Sequence, residues 1–297
     1  MYCAKGKHEI TKEKASDNKI FKIIALFIGV MLLLLLTFKV ILSSHSQKLE
    51  YAKPQVVESS LELISPKDPL LQKIKSFAPI HPKAYAILKN PSEYPKDLLV
   101  LASKKPETVD FVADFVNHKG GKTDILSSVI SSDKKGKYPL YMQWDERWGY
   151  DKYGPDYFAI NGCGPTALSM VTVGLTGNEK FTPQYIKNFS ASHGYLVEGV
   201  GTAWSLMTDG ARKFGIRSKV ISLSEQSIIK NLKKGHPIIA TMGPGHFTTQ
   251  GHYIVLTGIN DDGKIIVNDS DSKERSNKTW DIDILLKEAK NVWAFSL

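Results

Sequence analysis

Apolar and polar residues follow three different patterns along this 297-residue chain. Residues 20–42 are almost entirely apolar, and as a helix they would extend about 34 Å, enough to cross a hydrocarbon core of ~30 Å. Between 98 and 116, apolar residues recur at three- and four-residue steps, which predicts a helical lead-in over 96–137. From Tyr138 onward, helical patterns come first and β-rich runs follow. This order favours an α+β domain over 138–297.

Glycine and turn signals separate the predicted elements of this domain. One helix begins near residue 163 and ends at Gly174 or Gly177. The run Asn-Asp-Asp-Gly at 260–263 separates two β-rich runs, which predicts a hairpin with an antiparallel pair. Other helices are predicted over 183–189, 204–214 and 224–235, and strands over 216–223, 236–242, 252–259 and 264–270.

The apolar segment 20–42 also determines on which side of the membrane we expect the rest of the chain. Six lysines, at 5, 7, 12, 14, 19 and 22, lie ahead of it or at its start. Because lysine is enriched on the cytoplasmic side of membrane spans, we expect a cytoplasmic tail at 1–19 and an extracytoplasmic remainder at the cell membrane. A stalk and linker over 43–95 would then join the single-pass anchor to the lead-in. A cleaved signal peptide is the alternative, although its apolar region usually has only about 7–15 residues.

Charge and composition narrow the partners that we expect. The net charge of +9 comes almost wholly from lysine, and arginine occurs only at 147, 212, 217 and 275. Such a surplus suits a bilayer surface or an anionic cell-wall polymer. A compact basic cluster with interleaved aromatic residues does not occur, so we do not expect nucleic acid as a partner. Metal-ligand spacing is also missing from the sequence, and no cofactor is expected.

The two cysteines of the chain fall on opposite sides of the predicted membrane. Cys3 would be cytoplasmic and Cys163 extracytoplasmic, so they cannot form a disulfide with each other. Cys163 lies in "INGCGPTALSM", at the start of a predicted helix, where the helix N-terminus favours a thiolate. Free cysteine also occurs as a small buried core residue. The nucleophile interpretation therefore needs a base nearby.

A histidine and a polar residue follow in the predicted hairpin. His252 begins the run "HYIVLTGI", and His246, in a glycine-rich loop, is the second candidate. The next strand ends in Asn268 and Asp269. Since the start of one hairpin strand lies beside the end of the other, one of these two side chains should approach His252. One extra residue in the turn exchanges their faces, so the pattern leaves both open.

The order of these residues resembles that of papain-like cysteine peptidases, with cysteine at a helix start, histidine heading a strand, and Asn or Asp ending the next. The detailed similarity is to the peptidase C-39-like family, relatives of the double-glycine leader peptidases. It rests on "MQWDERWGYDKYG", "INGCGPTALSMV", "GHYIVLTGI" and "VNDS", and covers 138–297.

The resemblance implies a papain-like fold and a thiol hydrolase that cleaves a peptide or protein substrate outside the membrane. It implies that Cys163 is the nucleophile, His252 the general base and Asp269 the group that orients the base. Gln143 matches the glutamine that helps the Cys163 amide bind the oxyanion. Ser270 departs from the family, which usually has proline after the acid. The alternatives are a hydrolase of cell-wall peptides or amides, and a catalytically silent binding module with the same fold.

Overall fold

The computed structural model of the protein describes residues 68–118, 133 and 136–297. The predicted tail 1–19 and the predicted anchor 20–42 lie outside these residues. Within the described ranges, no helix combines the length and the apolar character that crossing a bilayer requires. The membrane span therefore stays a prediction from the sequence.

Short amphipathic helices form the first described range. Each buries a few apolar side chains, such as Leu71 and Ile74 in the first and Leu98 and Leu101 in the third. There are four such helices in this range, and we call them the lead-in helices: α1 (Pro69–Phe77), α2 (Ala84–Lys89), α3 (Lys96–Lys104) and α4 (Val109–Asp114). Single 3₁₀ turns lie between or after them, at Pro91–Glu93, Pro106–Thr108 and Phe115–His118.

The lead-in helices correct one boundary predicted from the sequence. A stalk was expected over 43–95, but α1 and α2 lie within that segment and pack against α3 and α4. The helical lead-in therefore includes residues from Pro69 onward, and not only those from 96. The helices α3 and α4 fall where the apolar spacing predicts them. Residues 119–132 and 134–135 of the predicted lead-in lie outside the described residues.

The lead-in helices are packed on the domain that follows. The ring of Phe111 stacks on that of Tyr150 with a centroid distance of 4.3 Å. The Tyr150 hydroxyl donates a hydrogen bond of 2.6 Å to the Phe111 carbonyl. These contacts hold α4 against the domain.

One long buried helix and a six-stranded sheet dominate the domain. The helices are α5 (Phe158–Asn161), α6 (Cys163–Thr176), α7 (Pro183–Ser192), α8 (Asp209–Arg212), α9 (Glu225–Lys233), α10 (Lys273–Ser276) and α11 (Ile282–Glu288). The strands are β1 (Lys152–Tyr153), β2 (Asp156–Tyr157), β3 (Leu196–Val197), β4 (Gly201–Thr202), β5 (Arg217–Val220), β6 (Ile238–Met242), β7 (His252–Ile259), β8 (Ile265–Asn268), β9 (Thr279–Trp280) and β10 (Ala289–Ser296).

The large sheet is antiparallel throughout, in the order β5-β10-β6-β7-β8-β9. One face packs on α6 through residues such as Tyr253 and Trp293, and the other packs on α9 and α11. The predicted strands β5 to β8 and the hairpin between β7 and β8 are confirmed. Helices that precede an antiparallel sheet also confirm the α+β class.

Helix α6 ends at Gly177, the second of the two predicted glycines, with φ +68°. The helix predicted over 204–214 is instead a 3₁₀ turn (Trp204–Met207) followed by the single turn of α8. Strand β10 was not predicted, although it lies between β5 and β6 in the sheet. The small pairs β1–β2 and β3–β4 were also not predicted.

Gly174 offers a test of packing inside α6. Alanine in a helix interior normally stabilises by about 1 kcal/mol relative to glycine. A Cβ at Gly174 would overlap the Tyr138 ring, so we expect Gly174→Ala to destabilise the protein by about 1–2 kcal/mol. In a Tyr138→Ala background the same substitution should become neutral or stabilising. Denaturant unfolding of the four proteins measures this coupling, and a stabilising Gly174→Ala in the parent would contradict it.

Candidate active site

Cys163 is the first residue of α6, and two close approaches of the chain place it there. A Cβ at Gly162 would lie 2.7 Å from the Phe158 ring, and one at Gly164 would lie 2.6 Å from the Thr202 side chain. Only glycine fits at these two positions without displacing a neighbour. The glycines on either side of Cys163 therefore serve to bring α5 and β4 close to the start of α6.

The half-buried thiol lies at the positive end of a 14-residue helix. The first amides of a helix have no partner within it, and their N–H groups favour negative charge. Pro165 is tolerated in this first turn because no intrahelical bond is lost there. The position therefore provides donors for an anion that forms beside Cys163.

His252 is the first residue of β7, opposite Met242 of β6. Its Nε2 donates a hydrogen bond of 2.7 Å to Oδ1 of Asp269. Cys163 lies beside the same imidazole, close enough to raise its pKa. Because Nε2 is used by the carboxylate, Nδ1 is the nitrogen left for the sulfur. The structure thus brings the predicted cysteine, histidine and aspartate together.

Burial and charge act against each other on this histidine. Burial disfavours the imidazolium, but the charge and hydrogen bond of Asp269, together with Cys163, outweigh it and raise the pKa of His252 from 6.5 to about 10. Burial likewise disfavours the Asp269 carboxylate, but His252 and then Arg275 outweigh it and lower the pKa of Asp269 to about 2. At neutral pH the imidazole is therefore protonated and the carboxylate ionised.

Asn268 has a different environment from Asp269. Its side-chain amide is fully buried and donates to the carbonyl of Pro139 at 3.0 Å. The register of β7 and β8, with Val255 opposite Asn268 and a bulge after Leu256, decides which residue approaches His252. Of the two residues that the sequence pattern left open, Asp269 is the one in contact with the imidazole.

The second candidate histidine, His246, lies in the loop between β6 and β7. Its Nδ1 bonds the buried Glu288 carboxylate at 2.5 Å, and its ring meets Trp280 edge-on. This environment is distinct from the Cys163 site.

Gln143 is almost fully buried, and its amide already has partners. Its Nε2 donates to the carbonyls of Ala159 (2.9 Å) and Ile160 (3.2 Å), and its Oε1 accepts from Ser270. These two bonds use both hydrogens of the amide. The predicted contact with an oxyanion would require Gln143 to release the carbonyls, whereas in this structure it links the Ser270 segment to α5.

Arg275 belongs to the site and was missed by the sequence analysis. Its Nε donates to Oδ2 of Asp269 at 2.6 Å, while Oδ1 also accepts the amide of Asp271 at 2.8 Å. Both oxygens of the Asp269 carboxylate are therefore held. The sequence feature that could have identified Arg275 is that it is a rare arginine in a lysine-rich chain, six residues after the candidate acid.

One comparison with known proteins identifies the family of the chain. The profile of the Peptidase_C39 like family matches residues 135–295, which is more than half of the chain. A comparison with curated proteins gives no significant match. The match covers α6 and the six-stranded sheet, and it confirms the family resemblance predicted from the sequence motifs. The chain belongs to the Peptidase_C39 like family.

Proposed function

We propose that this protein is a cysteine peptidase with the triad Cys163, His252 and Asp269. Family membership supports a peptidase-type hydrolase in general. The finer assignment rests on one observation, a thiol at a helix N-terminus beside an imidazole that a buried carboxylate holds through a hydrogen bond. A nucleophile, a base beside it and a group that orients the base are what acyl transfer requires.

The proposed reaction begins from the thiolate–imidazolium pair. The Cys163 sulfur attacks the carbonyl carbon of the scissile bond, and the amide at the start of α6 stabilises the resulting oxyanion. His252 then donates its proton to the leaving amine, which breaks the C–N bond and leaves a thioester on Cys163. Water, deprotonated by His252, attacks the thioester and releases the carboxylic acid. The thiolate–imidazolium pair is thereby restored.

Asp269 would keep the imidazole in the orientation that these reaction steps need. Its Oδ1 accepts from Nε2, so Nδ1 is fixed toward the sulfur and carries the proton that moves. The carboxylate itself keeps its charge throughout. This arrangement stabilises the imidazolium during attack and fixes its direction during proton donation.

We further propose an extracytoplasmic location, with a cytoplasmic tail at 1–19 and an anchor in the bilayer at 20–42. The lysine-rich flank ahead of the apolar segment supports this orientation. A net charge of +9 would favour attraction to anionic headgroups or an anionic wall polymer. The substrate would then be a peptide or protein outside the membrane.

The test compares protein and wall substrates directly. The full chain, reconstituted in lipid vesicles, is incubated with cell-surface proteins or with peptidoglycan, beside its Cys163→Ser variant. We expect new peptide termini from proteins, detected by mass spectrometry and absent with the variant. Release of wall fragments without protein cleavage would favour a wall peptide or amide hydrolase instead. An intact fold that releases neither product would identify a silent binding module.

A further inference from the structure

A chain of ion pairs leads away from the candidate triad toward the lead-in helices. Arg275 contacts Oδ2 of Asp269 through Nε and, through Nη2, Oδ2 of Asp271 at 3.3 Å. The same Oδ2 of Asp271 forms an ion pair with Lys105, which follows α3 directly. A cation from the lead-in helices is thus joined by three successive ion pairs to the carboxylate that bonds His252.

A second set of contacts holds the same segment of chain. Glu107 of the lead-in accepts a hydrogen bond of 2.8 Å from the amide of Lys273. The ammonium of Lys273 lies 4.9 Å from the centroid of the Trp144 ring, and the Trp144 indole donates to the Asp271 carbonyl at 3.2 Å. The segment that carries Asp271 and Arg275 is therefore fixed from both sides.

The charges in this chain depend on one another. Asp269 is fully buried and Asp271 is 7 % exposed, and two neighbouring carboxylates in such a site repel unless each has a cation. Arg275 lies between them, and its planar guanidinium can bond both carboxylates at once. Beside the His252 imidazolium and Arg275, Lys105 supplies the third positive charge, and it is the one that pairs with Asp271 alone. Without it, Asp271 would draw Arg275 away from Asp269.

We propose that Arg275 is a positioning residue that fixes Asp269 against His252, and that the lead-in helices complete the active site through Lys105. This inference rests on the proposed function, in which Asp269 orients the base. It assigns the lead-in helices a part in the chemistry, beyond that of a spacer between membrane and enzyme.

The test uses the full chain in detergent micelles with Arg275→Gln, Arg275→Lys and Lys105→Gln. Lys83→Gln is the matched control, because Lys83 pairs with Asp114 within the lead-in helices at 2.5 Å. Two quantities are measured, the His252 pKa by NMR and the rate at which iodoacetamide alkylates Cys163 in mildly acidic buffer. The Cys163 peptide is followed by mass spectrometry, so that Cys3 does not contribute.

The direction of the His252 shift separates positioning from simple loss of charge. Removal of a positive charge alone would raise the His252 pKa, whereas loss of the Asp269 position lowers it. For Arg275→Gln we expect a lower His252 pKa and alkylation slowed about 10–100-fold, the size of effect found when the hydrogen-bond partners of metal-ligating imidazoles are removed. Lys105→Gln should change both quantities in the same direction by less. Arg275→Lys, which keeps the charge but not the fork, should be intermediate and remains testable if Arg275→Gln unfolds.

A His252 pKa that stays or rises in Arg275→Gln and Arg275→Lys would overturn the positioning role. Lys105→Gln indistinguishable from Lys83→Gln would overturn the role of the lead-in helices. Parent Cys163 that reacts no faster than Cys3 would count against the peptidase proposal instead. In that case the His252 pKa values of the variants would still show whether Arg275 and Lys105 position Asp269.

Discussion

Replacing Cys163 with alanine is expected to abolish peptide-bond cleavage. Removal of the nucleophile in a serine peptidase lowers kcat about 10⁶-fold, and no other group in the site can form the acyl intermediate. Stabilisation of an oxyanion by the amides at the start of α6 would leave at most a weak background of peptide hydrolysis. The measurement is turnover of the peptides that the parent cleaves, together with labelling of the Cys163 peptide by a thiol-directed peptidase probe.

The loss should come from chemistry rather than from unfolding. Cys163 is half-buried at the first position of α6, where alanine is a good helix former, so we expect the free energy of unfolding to change by less than about 1 kcal/mol. The matched control is Cys3→Ala, which removes the other thiol of the chain and should keep full activity. Undiminished cleavage by a folded Cys163→Ala protein would refute the proposed nucleophile.

The parts of the fold that the sequence predicted are those whose signals are local. The run at 252–259, the turn at 260–263 and the run at 264–270 are consecutive, so their pattern indicates a hairpin directly. Strand β10 has no such neighbour. Its partners are Ile239 and Val220, far away in sequence, and its buried residues 292–295 form a continuous run without strand alternation.

The lead-in helices were missed in part for a related reason. Helices α1 and α2 have nine and six residues, too few for a clear repeat, and prolines and lysines around them are typical of a linker. They are stabilised by packing on α3 and α4 rather than by their own propensity. Local pattern therefore indicates a stalk where tertiary contacts form helices.

The candidate site was predictable as a set of residues but not as a geometry. Chain order brings Cys163 and His252 forward as candidates, whereas the choice between Asn268 and Asp269 depends on a bulge that sequence does not show. Two partners of the Gln143 amide are backbone carbonyls, which the pattern of side chains along the sequence does not reveal. The contact of Lys105 with Asp271 spans 166 positions and follows only from the fold.

Asp269→Asn is expected to have the second-largest effect, with kcat lowered about 10⁴-fold, as found when the acid of a Ser-His-Asp triad is amidated. Asparagine has one acceptor oxygen, but three donors face this side chain, from His252, Asp271 and Arg275. One orientation puts its amide against the guanidinium and the other puts it against the imidazole. Either orientation loses a bond that the carboxylate makes.

The pH dependence of stability and of kcat/KM tests whether Asp269 acts through the protonation of His252. In the parent, the raised pKa of His252 stabilises the fold below pH 6.5, and this contribution is lost as pH rises toward about 10. The lowered pKa of Asp269 stabilises the fold above pH 3.8, and this contribution is lost as pH falls toward about 2. In Asp269→Asn, burial of His252 is no longer opposed by that charge, so the basic limb of kcat/KM should move to lower pH.

Stability should fall as well, because Arg275 and His252 each lose the charge of Asp269, and Arg275 keeps only Asp271 as an anionic partner. The Arg275 side chain keeps 21 % exposure, so we expect at most about 3 kcal/mol at neutral pH. Asp283→Asn, at an exposed position of α11, is the matched control and should alter neither the pH profile nor the unfolding free energy. Should the basic limb stay in place while kcat falls, Asp269 would act through the fold alone. A limb that moves to lower pH in a folded protein ties the carboxylate to the protonation of His252, which is the step that the proposed chemistry requires.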